Sequence, residues 1–222
     1  MSAVAGNIAR IRSELPAGVT LLAVSKYHPA ETLQEAYDAG QRVFGENRVQ
    51  ELLAKQPLLP PDIEWHFIGT LQTNKVKHIA PFIHTVQSVD SPALLKEVDH
   101  QAARSRRRLR VLLEIRIAAE TSKHGFSPDG CRALFRNRQA DACPHVCIGG
   151  LMGMASFTDN REQVRQEFRA LRTLFDELKP LAGEAFDTLS MGMSGDYPVA
   201  VEEGSTLIRV GTSVFGERSI RH

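Results

Sequence analysis

A lysine stands where a buried strand gives out. Lys26 follows the apolar run Leu21-Leu22-Ala23-Val24 and precedes Tyr27-His28-Pro29, with Pro29 placed to open a helix. An amine held at such a position costs free energy unless it is used. Its pKa can fall there, and a neutral amine attacks a carbonyl to form a Schiff base. The bland alternative is a lysine that reaches solvent from a strand end. Two later segments bear on the choice. Ser194-Gly195 and Gly211-Thr212-Ser213 offer hydroxyl donors beside backbone N–H groups that no side chain obstructs. Such loops suit a phosphate, although glycine after a strand is more often plain turn chemistry. A lysine together with a phosphate cradle points to an aldehyde that carries a phosphate: pyridoxal 5′-phosphate, or a sugar phosphate in an aldolase.

These residues need a frame that brings them together. Apolar runs of strand character cover residues 19–25, 42–45, 64–69, 83–87, 109–117, 146–152, 186–191 and 206–210. Helical patterns cover 4–15, 30–39, 49–55, 73–79, 92–103, 128–138, 161–181 and 198–203. The longest repeats Val164, Phe168, Leu171, Leu174, Phe175 and Leu178 at helical spacing, a core stripe and not a site. Eight strands alternating with helices predict an α/β fold, a single (β/α)8 TIM barrel with an extra N-terminal helix, over one domain spanning 1–222. A doubly wound open sheet is the rival, but it usually carries a Gly-rich turn after its first strand, and Lys26-Tyr27-His28 has no glycine. In a barrel the loops after the strands form the active face. Unusual polar residues gather at those exits: Lys26, Glu46-Asn47, Thr70 to Lys75, Glu120 to His124, Ser194 to Asp196, and Arg209 with Gly211-Thr212-Ser213.

Composition narrows the partners. The 222 residues carry 27 Lys+Arg against 26 Asp+Glu, so charge gives no case for nucleic acid or an anionic membrane surface. The basic run Arg104-Ser105-Arg106-Arg107-Arg108-Leu109-Arg110 reads as a solvated helix end, since it has no interleaved aromatics. Three cysteines cannot form a closed disulfide framework, which favours a reducing compartment. Cys143-Pro144-His145-Val146-Cys147 invites a zinc reading, but Cys131 is alone and no second ligand pair exists, so no metal is expected. No signal peptide or membrane span is expected, and the location read from this is cytoplasmic.

The exit segments also carry a resemblance. Over nearly the full chain they are similar to the YggS/PROSC family, the pyridoxal phosphate homeostasis proteins, which look like the N-terminal barrel of alanine racemase without its second domain. The matching blocks are Ala23-Val24-Ser25-Lys26; Phe44-Gly45-Glu46-Asn47 with Gln50-Glu51; and His66 to Lys75. Further along they are Leu151-Met152-Gly153-Met154, Leu189 to Ser194, and Gly204 to Thr212. The resemblance implies a fold-type III barrel that binds pyridoxal 5′-phosphate. It implies Lys26 as the Schiff-base lysine, Ser194, Gly211 and Thr212 at the phosphate, Asn47 near the ring, and Arg209 at the pyridine nitrogen. The chain departs from the family's usual pattern at Tyr27-His28 and at Pro198, where the helix after Ser194 starts.

Arg209 shapes what such a site does. A guanidinium at the pyridine nitrogen disfavours a second positive charge there and weakens the ring as an electron sink. Racemisation also needs a base on each face of the substrate, and the racemase takes its second base, a tyrosine, from the missing domain. Tyr27, Tyr37 and Tyr197 are poor replacements by position. The expectation is therefore a reservoir or carrier of pyridoxal phosphate without catalytic residues of its own, with PLP-requiring apoenzymes as partners. An amino-acid racemase is the alternative. Lys75 and Lys123 lie near the same face and offer further amines, or are plain surface lysines. No apolar helix face is left over, which predicts a monomer.

Overall fold

The computed structural model describes residues 2–118 and 124–216. Helix α1 (Ala3–Glu14) leads, capped by the Ser2 hydroxyl, which accepts from the Ala5 N–H. The strands are β1 (Thr20–Val24), β2 (Val43–Glu46), β3 (Glu64–Phe67), β4 (Thr85–Val89), β5 (Leu109–Ile115), β6 (Val146–Gly153), β7 (Thr188–Ser190) and β8 (Leu207–Val210). All pair in parallel, in chain order, and β8 closes on β1 through Thr20↔Leu207 and Ala23↔Val210. Between them run α2 (Ala30–Asp38), α3 (Val49–Lys55), α4 (Thr73–Ile79), α5 (Pro92–Arg104), α6 (Pro128–Arg136), α7 (Arg161–Ala182) and α8 (Tyr197–Glu202). The chain forms the expected (β/α)8 barrel, and closure rules out the open sheet.

Two apolar layers hold it. Between strands and helices lies the main core, where Phe44, Phe67, Phe168 and Phe186 are fully buried. The α7 stripe is buried along its length, and each such side chain contributes about 1.5–3 kcal/mol. Inside the barrel a small separate cluster joins Leu22, Val24 and Leu207. Gly150 shows how tightly β6 meets β7. Its φ is +151°, and a Cβ there would lie 1.7 Å from the Thr188 carbonyl oxygen.

Four local expectations need correcting. Pro29 is extended and caps α2 instead of lying inside its first turn. The helix expected over 128–138 stops at Arg136. Arg138 takes a left-handed φ of 54°, and a 3₁₀ turn, Gln139–Ala142, follows. The basic run is not uniformly solvated. Arg107 donates to the Ala80 carbonyl, and Arg110 on β5 pairs with Asp187 and donates to Thr188 Oγ1. A four-residue helix, α9 (Thr212–Phe215), follows β8 directly and had no periodic signal to announce it.

Candidate functional site

The strand exits that matter come from one arc of the barrel, β7–β8–β1–β2, which are consecutive neighbours. Lys26 follows β1, between the strand that leads to Asn47 and the strand that carries Arg209. Its turn is tightly made. The His28 N–H donates to the Ser25 carbonyl at 3.1 Å, which places Lys26 and Tyr27 at the turn's centre. Tyr27 has φ +68°, a left-handed conformation that costs a non-glycine residue roughly 1–2 kcal/mol. Two groups hold it there. The Tyr27 N–H donates to Glu51 Oε2 at 2.8 Å, and Lys55 Nζ donates to the Ser25 carbonyl at 2.9 Å.

Those two groups belong to a buried cluster beneath the turn. Lys55 Nζ lies 2.6 Å from Glu46 Oε1 and 3.2 Å from Glu51 Oε2. The Ser25 hydroxyl donates to the same Glu46 oxygen at 2.7 Å. Burial pushes the Glu46 carboxyl up, while Lys55 and Ser25 pull it down, and the net direction is up. The cluster thus fixes the backbone on both sides of Lys26, whose side chain is half-buried.

Asn47, after β2, is wedged against the β3 exit. A Cβ on Gly69 would lie 2.2 Å from the Asn47 carbonyl oxygen, so only glycine permits that approach. The Asn47 side-chain oxygen Oδ1 is buried and accepts no hydrogen bond among the described residues. After β7, Ser194 is half-buried in a turn closed by Asp196, whose Oδ1 accepts from the Met193 N–H. After β8, Gly211 caps α9, and Thr212 opens it. His28 packs its ring on Phe215 of α9 at 4.7 Å, tying the β1 exit to the β8 exit. The departure at His28 thus has a packing role, and Pro198 sits in the first turn of α8, where proline is tolerated.

Arg209 lies inside the barrel and is buried. It donates through Nη1 to Ser190 Oγ at 2.6 Å and through Nη2 to the Gly153 carbonyl at 2.9 Å. Burial lowers its pKa to about 10, opposed by Asp196 and Glu114, so the guanidinium stays charged at neutral pH.

The arc therefore brings Lys26, Asn47, Ser194, Arg209, Gly211 and Thr212 to one end of the barrel. Lys75 stands apart at the start of α4, half-buried. Lys123 lies outside the described residues. The Tyr37 hydroxyl is engaged with Asp62, and that of Tyr197 with Glu14 of α1. Cys131, Cys143 and Cys147 are all free thiols. The metal-capable group among the described residues is a different one, Glu64, His66 and His84, at the opposite mouth. Sequence reasoning missed Lys55. The Glu51–Lys55 spacing on α3 hinted at a pair, but nothing local tied it to Glu46. It also missed Ser190, the partner of Arg209, and Gln87, whose Oε1 accepts from the Ser190 hydroxyl at 2.7 Å; both look like ordinary strand polars until the barrel closes.

Comparison with known proteins fits this arrangement. The family model of the alanine racemase N-terminal domain matches residues 1–219. A pyridoxal phosphate homeostasis protein of Aquifex aeolicus is 43% identical over 199 residues, covering 89% of this chain and 86% of that protein. PipY of Synechococcus elongatus, solved without PLP, superposes with a TM-score of 0.91 at 42% identity, covering 96% of this chain and 100% of that one. The PLP-bound PipY structure gives 0.87 at 41% identity with the same coverage. The chain belongs to the family of pyridoxal phosphate homeostasis proteins, built on the barrel of the alanine racemase N-terminal domain.

Proposed function

We propose that residues 1–222 act as one barrel domain that binds pyridoxal 5′-phosphate on Lys26 and takes part in its homeostasis as a reservoir. The observation that carries this reading is the arc itself. The six residues that the resemblance gives a role stand on four adjacent strands, at or beside their exits, and Asn47 Oδ1 is buried there with no hydrogen-bond partner among the described residues. A buried acceptor of that kind is costly unless a ligand donor meets it. Bound pyridoxal phosphate supplies an aldehyde that condenses reversibly with an amine. Lys26 Nζ would provide that amine, with water as the leaving group. Ser194 supplies a hydroxyl to the phosphate. Gly211 and Thr212 supply backbone N–H groups that the first turn of α9 leaves without helical partners. Asn47 would lie beside the ring and Arg209 would face the pyridine nitrogen, as the family resemblance implies. Because that guanidinium stays charged, it holds the nitrogen unprotonated, which suits storage better than carbanion chemistry.

A racemase reading needs a second base opposite Lys26. The hydroxyls of Tyr37 and Tyr197 are committed to Asp62 and Glu14, and Tyr27 is the next residue to Lys26 in the same turn, a poor place for a base on the opposite face. The rest of the reading is a cytoplasmic monomer that passes its load to PLP-requiring apoenzymes. Three free thiols support a reducing compartment. Among the described residues no helix is long and apolar enough to cross a membrane. The test is transfer. Loaded protein mixed with an apoenzyme should activate it, and interconversion of amino-acid enantiomers should be undetectable. Enantiomer interconversion lost in Lys26→Ala would overturn the reservoir reading.

A further inference from the structure

A line of polar side chains crosses the barrel interior beneath the site. Arg209 Nη1 donates to Ser190 Oγ at 2.6 Å, and Ser190 Oγ donates to Gln87 Oε1 at 2.7 Å. Gln87 Nε2 lies 2.8 Å from His66 Nδ1. All four residues are buried, Ser190 and Gln87 completely. His66 Nε2 is itself buried and unpartnered among the described residues. It borders a cavity of about 140 Å³ where the strands begin, shared with Glu64, His84, Thr85, Arg110 and Thr188. The chain thus spans from the candidate cofactor face to the opposite mouth.

Its direction follows from donor counting. A guanidinium has donors only, so the Arg209 bond must end on the Ser190 oxygen. The Ser190 hydroxyl, accepting from Arg209, donates its single hydrogen to Gln87 Oε1, so the amide presents its carbonyl oxygen there. That turns the Gln87 amide nitrogen toward His66, where it donates to Nδ1. A neutral imidazole whose Nδ1 accepts carries its hydrogen on Nε2. Burial, with His84 and Arg110 nearby, holds the His66 pKa down at about 3, so the ring is neutral at working pH. Each bond in such a row polarises the next in a low-dielectric interior.

We propose that Ser190, Gln87 and His66 are positioning residues, a one-way hydrogen-bond chain that fixes the Arg209 guanidinium against the pyridine nitrogen of the cofactor. The role at the nitrogen rests on the function proposed above; the chain itself does not. The same direction decides how the opposite mouth behaves. Glu64, His66 and His84 bring potential metal-ligand atoms within 4.8 Å of one another. With its hydrogen on Nε2, His66 offers that cluster a donor and no lone pair.

Imidazole ¹⁵N resonances of the cofactor-free, unmutated protein test the chain. The result expected is a neutral His66 protonated at Nε2 between pH 5 and 8, unmoved by zinc chloride. A ring protonated at Nδ1, or one whose Nε2 resonance shifts on zinc addition, overturns the chain's direction. Gln87→Glu tests it again: a carboxylate only accepts, so the His66 hydrogen must move to Nδ1. Ser190→Ala and Gln87→Glu, loaded with pyridoxal phosphate, test the positioning role. Each should shift the absorbance band of the bound chromophore and weaken retention about tenfold, a loss of ~1.4 kcal/mol. An unaltered band with retention within about twofold, in variants that still form the borohydride-stable adduct, overturns the role of the chain. A wild-type protein that forms no adduct on Lys26 overturns the cofactor reading instead, while the ¹⁵N result still decides the chain.

Discussion

Replacing Lys55 with methionine keeps much of the volume and removes one charge from a buried cluster. Glu46 is fully buried, and Lys55 is its only ion-pair partner among the described residues, at 2.6 Å. Breaking a buried pair from one side strands the other charge, at a cost of about 3–5 kcal/mol. In a chain of this size about 2–4 °C is lost per kcal/mol, so Lys55→Met is expected to lower the melting temperature by ~6–20 °C. The pH dependence has a definite sign. Burial already holds the Glu46 carboxyl above its ordinary value of 4.5, and Lys55 opposes that rise. Without Lys55 the folded protein binds a proton more readily than the unfolded chain does. Its stability then falls as pH rises from near 4.5 through the higher folded value. Urea denaturation at pH 5 and pH 7.5 should show the larger deficit at pH 7.5. Adding Glu46→Gln removes the stranded charge and should recover most of the loss at pH 7.5. A single variant that loses under about 1 kcal/mol at pH 7.5, or a double variant no more stable than the single, would show that Lys55 does not neutralise a costly buried charge on Glu46. The same variant removes one of the two donors on the Ser25 carbonyl beside Lys26 and leaves the His28 N–H, so slower adduct formation should accompany the lost stability.

Three further outcomes follow from named contacts. Gly150→Ala places a Cβ 1.7 Å from the Thr188 carbonyl oxygen at a positive φ, and should cost more than ~3 kcal/mol in denaturation or yield insoluble protein. His66 has a folded pKa of about 3 against an ordinary 6.5. Unfolding at acid pH therefore takes up a proton, and stability is lost as pH falls below about 6.5; His66→Gln should flatten that part of the stability–pH curve. Arg209→Glu puts an acceptor where a guanidinium stood, so the bound chromophore should show the spectrum of a protonated pyridine nitrogen. An unchanged spectrum with cofactor retained counts against Arg209 facing that nitrogen.

The frame was legible because alternating strand and helix patterns survive as periodicity along one chain. The boundaries of α3 and α4 were readable to the residue. What was hidden depends on closure. Gln87 and Ser190 lie 103 positions apart and meet only across the barrel interior. Lys55 reads as a surface helix residue until α3 packs beneath the β1 exit and meets Glu46. Arg110 belongs by sequence to a basic run, yet strand alternation turns it toward Asp187 and Thr188, away from its neighbours. The left-handed turn at Arg138 uses no glycine, so the end of α6 carried no signal. The proposed site was legible for the opposite reason: Lys26, Ser194, Gly211 and Thr212 follow strands where an amine and a phosphate cradle make chemical sense together, while the roles of Asn47 and Arg209 came from the family resemblance.

The proposed function stands on Lys26 as the residue that carries the cofactor. Its most direct test is peptide mapping by mass spectrometry after incubation with pyridoxal phosphate and borohydride reduction. The expected result is one pyridoxyl adduct on the peptide containing Lys26, absent from Lys26→Ala. Contradiction would be an unmodified Lys26 in protein that is otherwise folded, or an adduct that persists at full yield in Lys26→Ala.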